Sequence, residues 1–118
     1  MKAILTSLAL SLLLTACEAN TTESVPLSDA CPDYNGWQKA ADLRAVPGTV
    51  VNEADTSAYS TWVYILTADR KRYFACNLPA SVRKTGTRVV FNATEFAPPP
   101  NVRLAGIPVK LTRLEVLN

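Results

Sequence analysis

The 118-residue chain contains no histidine. That absence removes the usual general base and the commonest metal ligand. Serines and threonines are present, but nothing of the ordinary kind is there to activate them. An excess of one charge is missing too. Twelve Lys and Arg against ten Asp and Glu leave +2, and loss of Lys2 with a leader would bring the chain nearer to neutral. Such a balance carries no electrostatic footprint of a nucleic-acid partner. Nor is there an apolar run long enough to span a bilayer. Ala3 to Leu14 would make a helix of roughly 20 Å, against a hydrocarbon core of about 30 Å.

What is present begins at the N-terminus. Met1-Lys2 supplies one positive charge, and the short apolar stretch after it completes the pattern of an export signal over residues 1–16. The segment ends Leu14-Thr15-Ala16-Cys17. This resembles the lipobox of bacterial lipoproteins, in which a Leu, two small residues and a Cys are read together. The resemblance implies cleavage before Cys17 and a diacylglyceryl group on its thiol. Two or three acyl chains hold a protein stably at a membrane where one does so marginally. Glu18, in place of the Asp that favours inner-membrane retention in enterobacterial lipoproteins, leans toward the outer membrane, with the domain facing the periplasm or the cell surface.

Residues 17–30 follow as a flexible tether. From Glu18 to Ala30 they are rich in Ser, Thr, Asn and Glu, and too polar to bury much surface. Cys31 and Cys76 are the two cysteines left over. In an exported, oxidised chain they are expected to form one disulfide. The loop it closes, about 45 residues, would contribute roughly 4 kcal/mol on the chain-entropy model. Two cysteines without histidine make a poor zinc site, and no metal or other cofactor is expected.

From Pro47 the pattern is strands and turns. Pro47-Gly48 reads as a turn, and Thr49-Val50-Val51 opens a first strand. Tyr59 to Thr67 is dense in aromatic and β-branched residues, and Asp69-Arg70-Lys71 is a polar hairpin turn. Arg72 to Leu78 is a third strand, with Phe74, Cys76 and Leu78 on one face. Thr87 to Phe96 and Val109 to Leu117 are the fourth and fifth, the last needing a bulge near Thr112-Arg113 to keep its apolar residues on one side. Trp37 to Arg44 suits a brief helix, Pro79 to Lys84 a short helical insert, and Pro98-Pro99-Pro100 a rigid polyproline loop. Phe74, Leu78, Val89 and Phe91 are expected to line the interior.

Residues 31–118 are thus a mainly all-β domain: a small five-stranded barrel with a short helical insert between strands three and four. The layout resembles the OB-fold. Cys76-Asn77-Leu78-Pro79 and Gly86-Thr87-Arg88-Val89-Val90-Phe91 are similar to segments of small bacterial lipoproteins with OB-like domains. That resemblance brings no catalytic residues.

Arg70, Lys71, Arg72, Arg83, Lys84 and Arg88 form a candidate binding surface for an anionic ligand, with Tyr64, Tyr73 and Phe74 nearby. Glu53 and Asp55 are two close carboxylates in a polar loop, which is a poor place to separate their pKa values. Asp33-x-Asn35-Gly36 matches only part of a calcium loop and reads as an Asx turn. The expectation is a monomeric, membrane-anchored envelope lipoprotein. It would be a non-catalytic binding or structural module, using the loops Asn52–Ser57, Asp69–Lys71 and Pro98–Arg103. The alternative is a periplasmic accessory or inhibitor that binds another protein by a strand edge or by those loops. Mass spectrometry of the mature protein from its host is expected to show an acylated N-terminal Cys17; an unmodified terminus refutes the anchor.

Overall fold

The computed structural model describes residues 21–118. The export signal, the Leu14–Cys17 box and residues 18–20 lie outside the described residues. Six strands make up the fold: β1 (Thr22–Ser24), β2 (Gln38–Asn52), β3 (Val63–Leu66), β4 (Arg72–Ala75), β5 (Arg88–Ala97) and β6 (Ile107–Leu117). Strands β2 to β6 close on themselves in the order β6-β4-β3-β2-β5, with β5 pairing back to β6. The result is the expected five-stranded, OB-like barrel, with β1 added outside β6. Among the described residues no helix is long and apolar enough to cross a membrane.

Alternation decides what goes inside. Val89, Phe91 and Ala93 of β5 and Val109, Leu111 and Leu114 of β6 are almost wholly buried, together with Val50, Ile65 and Tyr73. The inward parity of β6 changes between Leu111 and Leu114. The register shifts there as expected: Asn92 faces Arg113 and Ala93 faces Leu111, leaving Thr112 as the extra residue.

Trp37 to Arg44 is not helical. Trp37 precedes β2, and Gln38 to Arg44 form its first half, laddered against β5 from Gln38↔Ala97 to Leu43↔Ala93. The alanines there prefer helix locally, but pairing along β5 and the partial burial of Ala41 and Leu43 outweigh that preference. Pro47-Gly48 is likewise no turn but lies within β2. Gly48 is needed because a Cβ there would run into the Ile65 side chain as β2 crosses β3. The Tyr59–Thr67 and Arg72–Leu78 strands are shorter than the composition predicts.

The expected helical insert is a single 3-10 turn, Ala80–Val82, whose Val82 plugs the core. Pro98–Pro100 opens a tight turn closed by Val102 N–H on the Pro99 carbonyl. Phe74 is misplaced by the sequence reading: Tyr73 points inward, and Phe74 lies on the outer face. Cross-strand pairing of Tyr73 with the buried Ile65 fixes that parity.

The tether expectation fails for the described part of residues 17–30. Thr22–Ser24 pair with Leu117–Glu115, and the Val25 N–H donates to the Leu114 carbonyl. Val25 and Leu27 pack on the core. The arm then meets Asn77, a buried side chain. Its Nδ2 donates to the Ser28 carbonyl (2.8 Å) and the Leu111 carbonyl (2.9 Å), and its Oδ1 accepts the Leu111 N–H (2.8 Å). The expected disulfide joins Cys31 to Cys76 just beyond, with Cα atoms 5.3 Å apart.

Core and clamp make separable demands on stability. Phe91→Ala should cost about 3–5 kcal/mol by leaving a cavity. Asn77→Ala should cost about 2–3 kcal/mol by stranding a buried N–H, and Arg70→Ala almost nothing. Denaturant melts check the ranking; equal losses for Phe91→Ala and Arg70→Ala would overturn the inside–outside assignment.

Candidate functional site

The six cationic residues are spread over the β3–β4 turn, β4, the β4–β5 connection and the start of β5. Arg70 and Lys71 sit in the β3–β4 turn. There Arg70 takes a positive φ of 65°, and Lys71 makes an exposed ion pair with Asp69 at 3.6 Å. Arg83 is turned back, its Nε donating to the Leu78 carbonyl. Lys84 belongs to the turn before β5, and Arg88 opens that strand.

Two of the three candidate loops, Asn52–Ser57 and Pro98–Arg103, lie at opposite ends of β5. Asn52 binds the Thr85 hydroxyl and the Arg83 carbonyl near the start of β5. The Pro98–Arg103 segment follows β5 at its other end.

What the barrel does gather is an aromatic platform on the outer face of β3 and β4. Tyr64 and Phe74 occupy adjacent strands and point outward, with ring centroids 5.4 Å apart. Trp62, just ahead of β3, stands edge-on to Phe74 at 6.0 Å. The Arg72 guanidinium lies 5.1 Å above the Tyr64 ring, a cation–π contact. The platform is fixed from below. Gly106 passes so close that a Cβ there would lie 2.7 Å from the Phe74 ring and collide with the Arg72 carbonyl.

Glu53 fixes it from the side. Its carboxylate accepts from the Tyr64 hydroxyl (3.1 Å) and the Ser60 hydroxyl (2.7 Å), and its own N–H donates to the Trp62 carbonyl (2.9 Å). Tyr64 is nearly buried, whereas Trp62 is 49% exposed and Tyr59, three residues earlier, is 99% exposed. Trp62 is therefore the member of the platform that is both packed in place and left half in water.

The electrostatics follow from these bonds. The Ser60 hydroxyl, then Tyr64 and Arg72, hold the Glu53 carboxyl below its ordinary value against some desolvation. Burial, then the bond to Glu53, pushes the Tyr64 phenol up. Asp55 is also lowered, chiefly by the Thr85 N–H. Glu53 and Asp55 thus shift in the same direction, the opposite of what an acid–base pair needs. The disulfide holds both Cys31 and Cys76, so neither offers a thiolate.

A second aromatic group lies behind β4. Tyr34 packs on Trp37 (5.0 Å) and Phe96 (5.7 Å), beside the Lys110–Asp29 pair, in an open hollow. The Tyr34 hydroxyl donates to the Phe74 carbonyl at 3.0 Å, so β4 joins the two groups. The Asp33–Gly36 stretch overlaps a 3-10 turn, Pro32–Tyr34, and its bonds are backbone ones, Asn35 N–H to the Pro32 carbonyl and Trp37 N–H to the Tyr34 carbonyl, where an Asx turn was expected.

Sequence reasoning placed Tyr64 and Phe74 near the charges and Glu53 in a candidate binding loop, but missed Trp62, Ser60 and the bond from Tyr64 to Glu53. The outward parity of Trp62 and Tyr64 was a usable signal; the return of Glu53 from the preceding loop had none. No family model matches the chain, and no curated protein matches it.

The Glu53 bonds predict a pH dependence. A carboxyl held below its unfolded value stabilises the fold above the ordinary carboxylate range, and that contribution is lost as pH falls through the lowered value. Glu53→Gln should therefore melt below wild type at neutral pH, with the gap narrowing under acid. Thermal melts from pH 7 to pH 3 check this; a constant gap contradicts it.

Proposed function

We propose that the chain is a lipid-anchored, non-catalytic binding module of the cell envelope, held at the outer membrane through an acylated Cys17. In this reading the β3–β4 platform takes a flat, hydroxyl-bearing ligand such as a glycan strand. The observation that carries the ligand assignment is Trp62. It is a half-exposed indole fixed edge-on against Phe74, with Arg72 and Glu53 close by as polar partners. Aromatic faces bury much area at low entropic cost, and their polar neighbours set orientation.

Two features support the envelope setting. A disulfide belongs to an oxidising compartment, and it consumes Cys31 and Cys76. Cys17 is then the one cysteine of the three left to carry a lipid. The strand-edge alternative is weakened because β1 already covers the outer edge of β6 over Glu115–Leu117.

Calorimetric titration of the mature protein with soluble peptidoglycan glycan strands tests the ligand. Binding is expected, and Trp62→Ala should weaken it at least about tenfold without lowering the melting temperature. Absence of binding, or equal affinity of the variant, sinks the assignment.

A further inference from the structure

We infer that the barrel end where the chain enters the fold is a membrane-contact surface, with Arg88 set against anionic phospholipid headgroups. The inference rests on the acylated Cys17 proposed above and concerns what that anchor does to the barrel. A flexible tether would let the domain tumble freely above the bilayer. The fold leaves almost no tether. The Thr21 carbonyl already accepts the Asn118 N–H at 3.1 Å, and pairing starts at Thr22↔Leu117. From Cys17 to Thr21 is four peptide steps, which span at most about 14 Å. The point of entry is thus held within about 14 Å of a lipid-bearing residue.

The neighbours of that point are fixed by the sheet. Leu117 pairs with Thr22 on one side, and Arg88 lies beside it on the other, one rung beyond Val89↔Val116. Thr21, Thr22, Arg88, Leu117 and Asn118 line one hollow. Arg88 is exposed, and two strand spacings put it about 10 Å from Thr22. Glu23 is the one carboxylate on β1 and Glu115 the nearest on β6; the latter is engaged by Arg113 at 2.6 Å. A basic side chain held this near an anionic leaflet is attracted to it.

The opposite end of the barrel is carried away from the lipid. Ala97 lies nine residues up β5 from Arg88, about 30 Å along the strand. The Pro98–Arg103 loop follows it, and Trp37 adjoins Gln38, the partner of Ala97. The anchor thereby gives the barrel a bottom and a top.

Arginine footprinting reads this directly. The full lipidated protein is placed in vesicles of phosphatidylglycerol and phosphatidylethanolamine and treated with phenylglyoxal. Modification of each arginine is followed by mass spectrometry and compared with a Cys17→Ser protein in solution. Arg88 is expected to react at least about fivefold more slowly in vesicles while Arg103 keeps its solution rate. Insertion of twelve Gly and Ser residues between Asn20 and Thr21 should restore the Arg88 rate. An unchanged Arg88 rate, equal slowing of both arginines, or slowing that survives the insertion overturns the inference.

The same spectra show whether Cys17 carries acyl chains. If it does not, the anchor reading fails by itself. Coupling Cys17 of the mature chain to a maleimide lipid then puts the orientation to the same footprint and the same criteria.

Discussion

β4 and β6 run parallel for three rungs, Tyr73–Ala75 against Ile107–Val109, and this is where the barrel closes. Parallel pairing over so short a span is weak by itself. Asn77 prolongs it. Past the end of β4 its side-chain amide bonds both the N–H and the carbonyl of Leu111, as a strand backbone would, and reaches Ser28 on the arm. The Cys31–Cys76 disulfide fixes the neighbouring residue to the same arm. Closure, docking of the N-terminal segment and the outer platform thus share the four residues Phe74 to Asn77. Phe74 gives its ring to the platform and its carbonyl to Tyr34.

This sharing explains which parts of the fold were legible in the sequence. β5 and β6 were read nearly to the residue because strict alternation on a closed sheet leaves one solution, and the bulge at Thr112 followed from the same alternation. Tyr73 and Phe74 could not be told apart locally. Both are large and aromatic, and only the partner strand says which points in. Gln38 to Arg44 went wrong for the opposite reason: alanines carry a local helix preference, while the ladder that overrides it comes from residues about fifty positions away. The arm was misread because main-chain pairing is nearly blind to side-chain polarity. Val25 and Leu27 were its two apolar marks, too sparse to outweigh the polar residues around them.

The candidate site divides in the same way. Its aromatic members sit on strands whose outward face can be counted by twos, so Tyr64 and Trp62 were within reach of the sequence. Its polar fixings come from a loop that folds back. Glu53 reaches Ser60 and Tyr64 across the end of the β2–β3 connection, and no period predicts such a return. The basic residues give a further lesson in counting by sequence alone. Proximity along the chain suggested one cluster, and the fold distributes Arg70, Arg83 and Arg88 over a turn, a connection and a strand start.

The arm has a mechanical consequence. It leaves the barrel at Thr21, alongside Asn118, pairs antiparallel with β6 over Thr22–Ser24, and ends at the disulfide-bonded Cys31. A pull on its N-terminus along the strand loads the rungs from Thr22 to Ser24 side by side, in shear, and does not open them one after another as a zipper. Should they yield, the chain would pay out only as far as the disulfide. The slack between Thr21 and Ala30 is about ten residues, near 35 Å of contour. Beyond that length tension passes through Cys31 to Cys76 and so into the barrel wall where β4 ends.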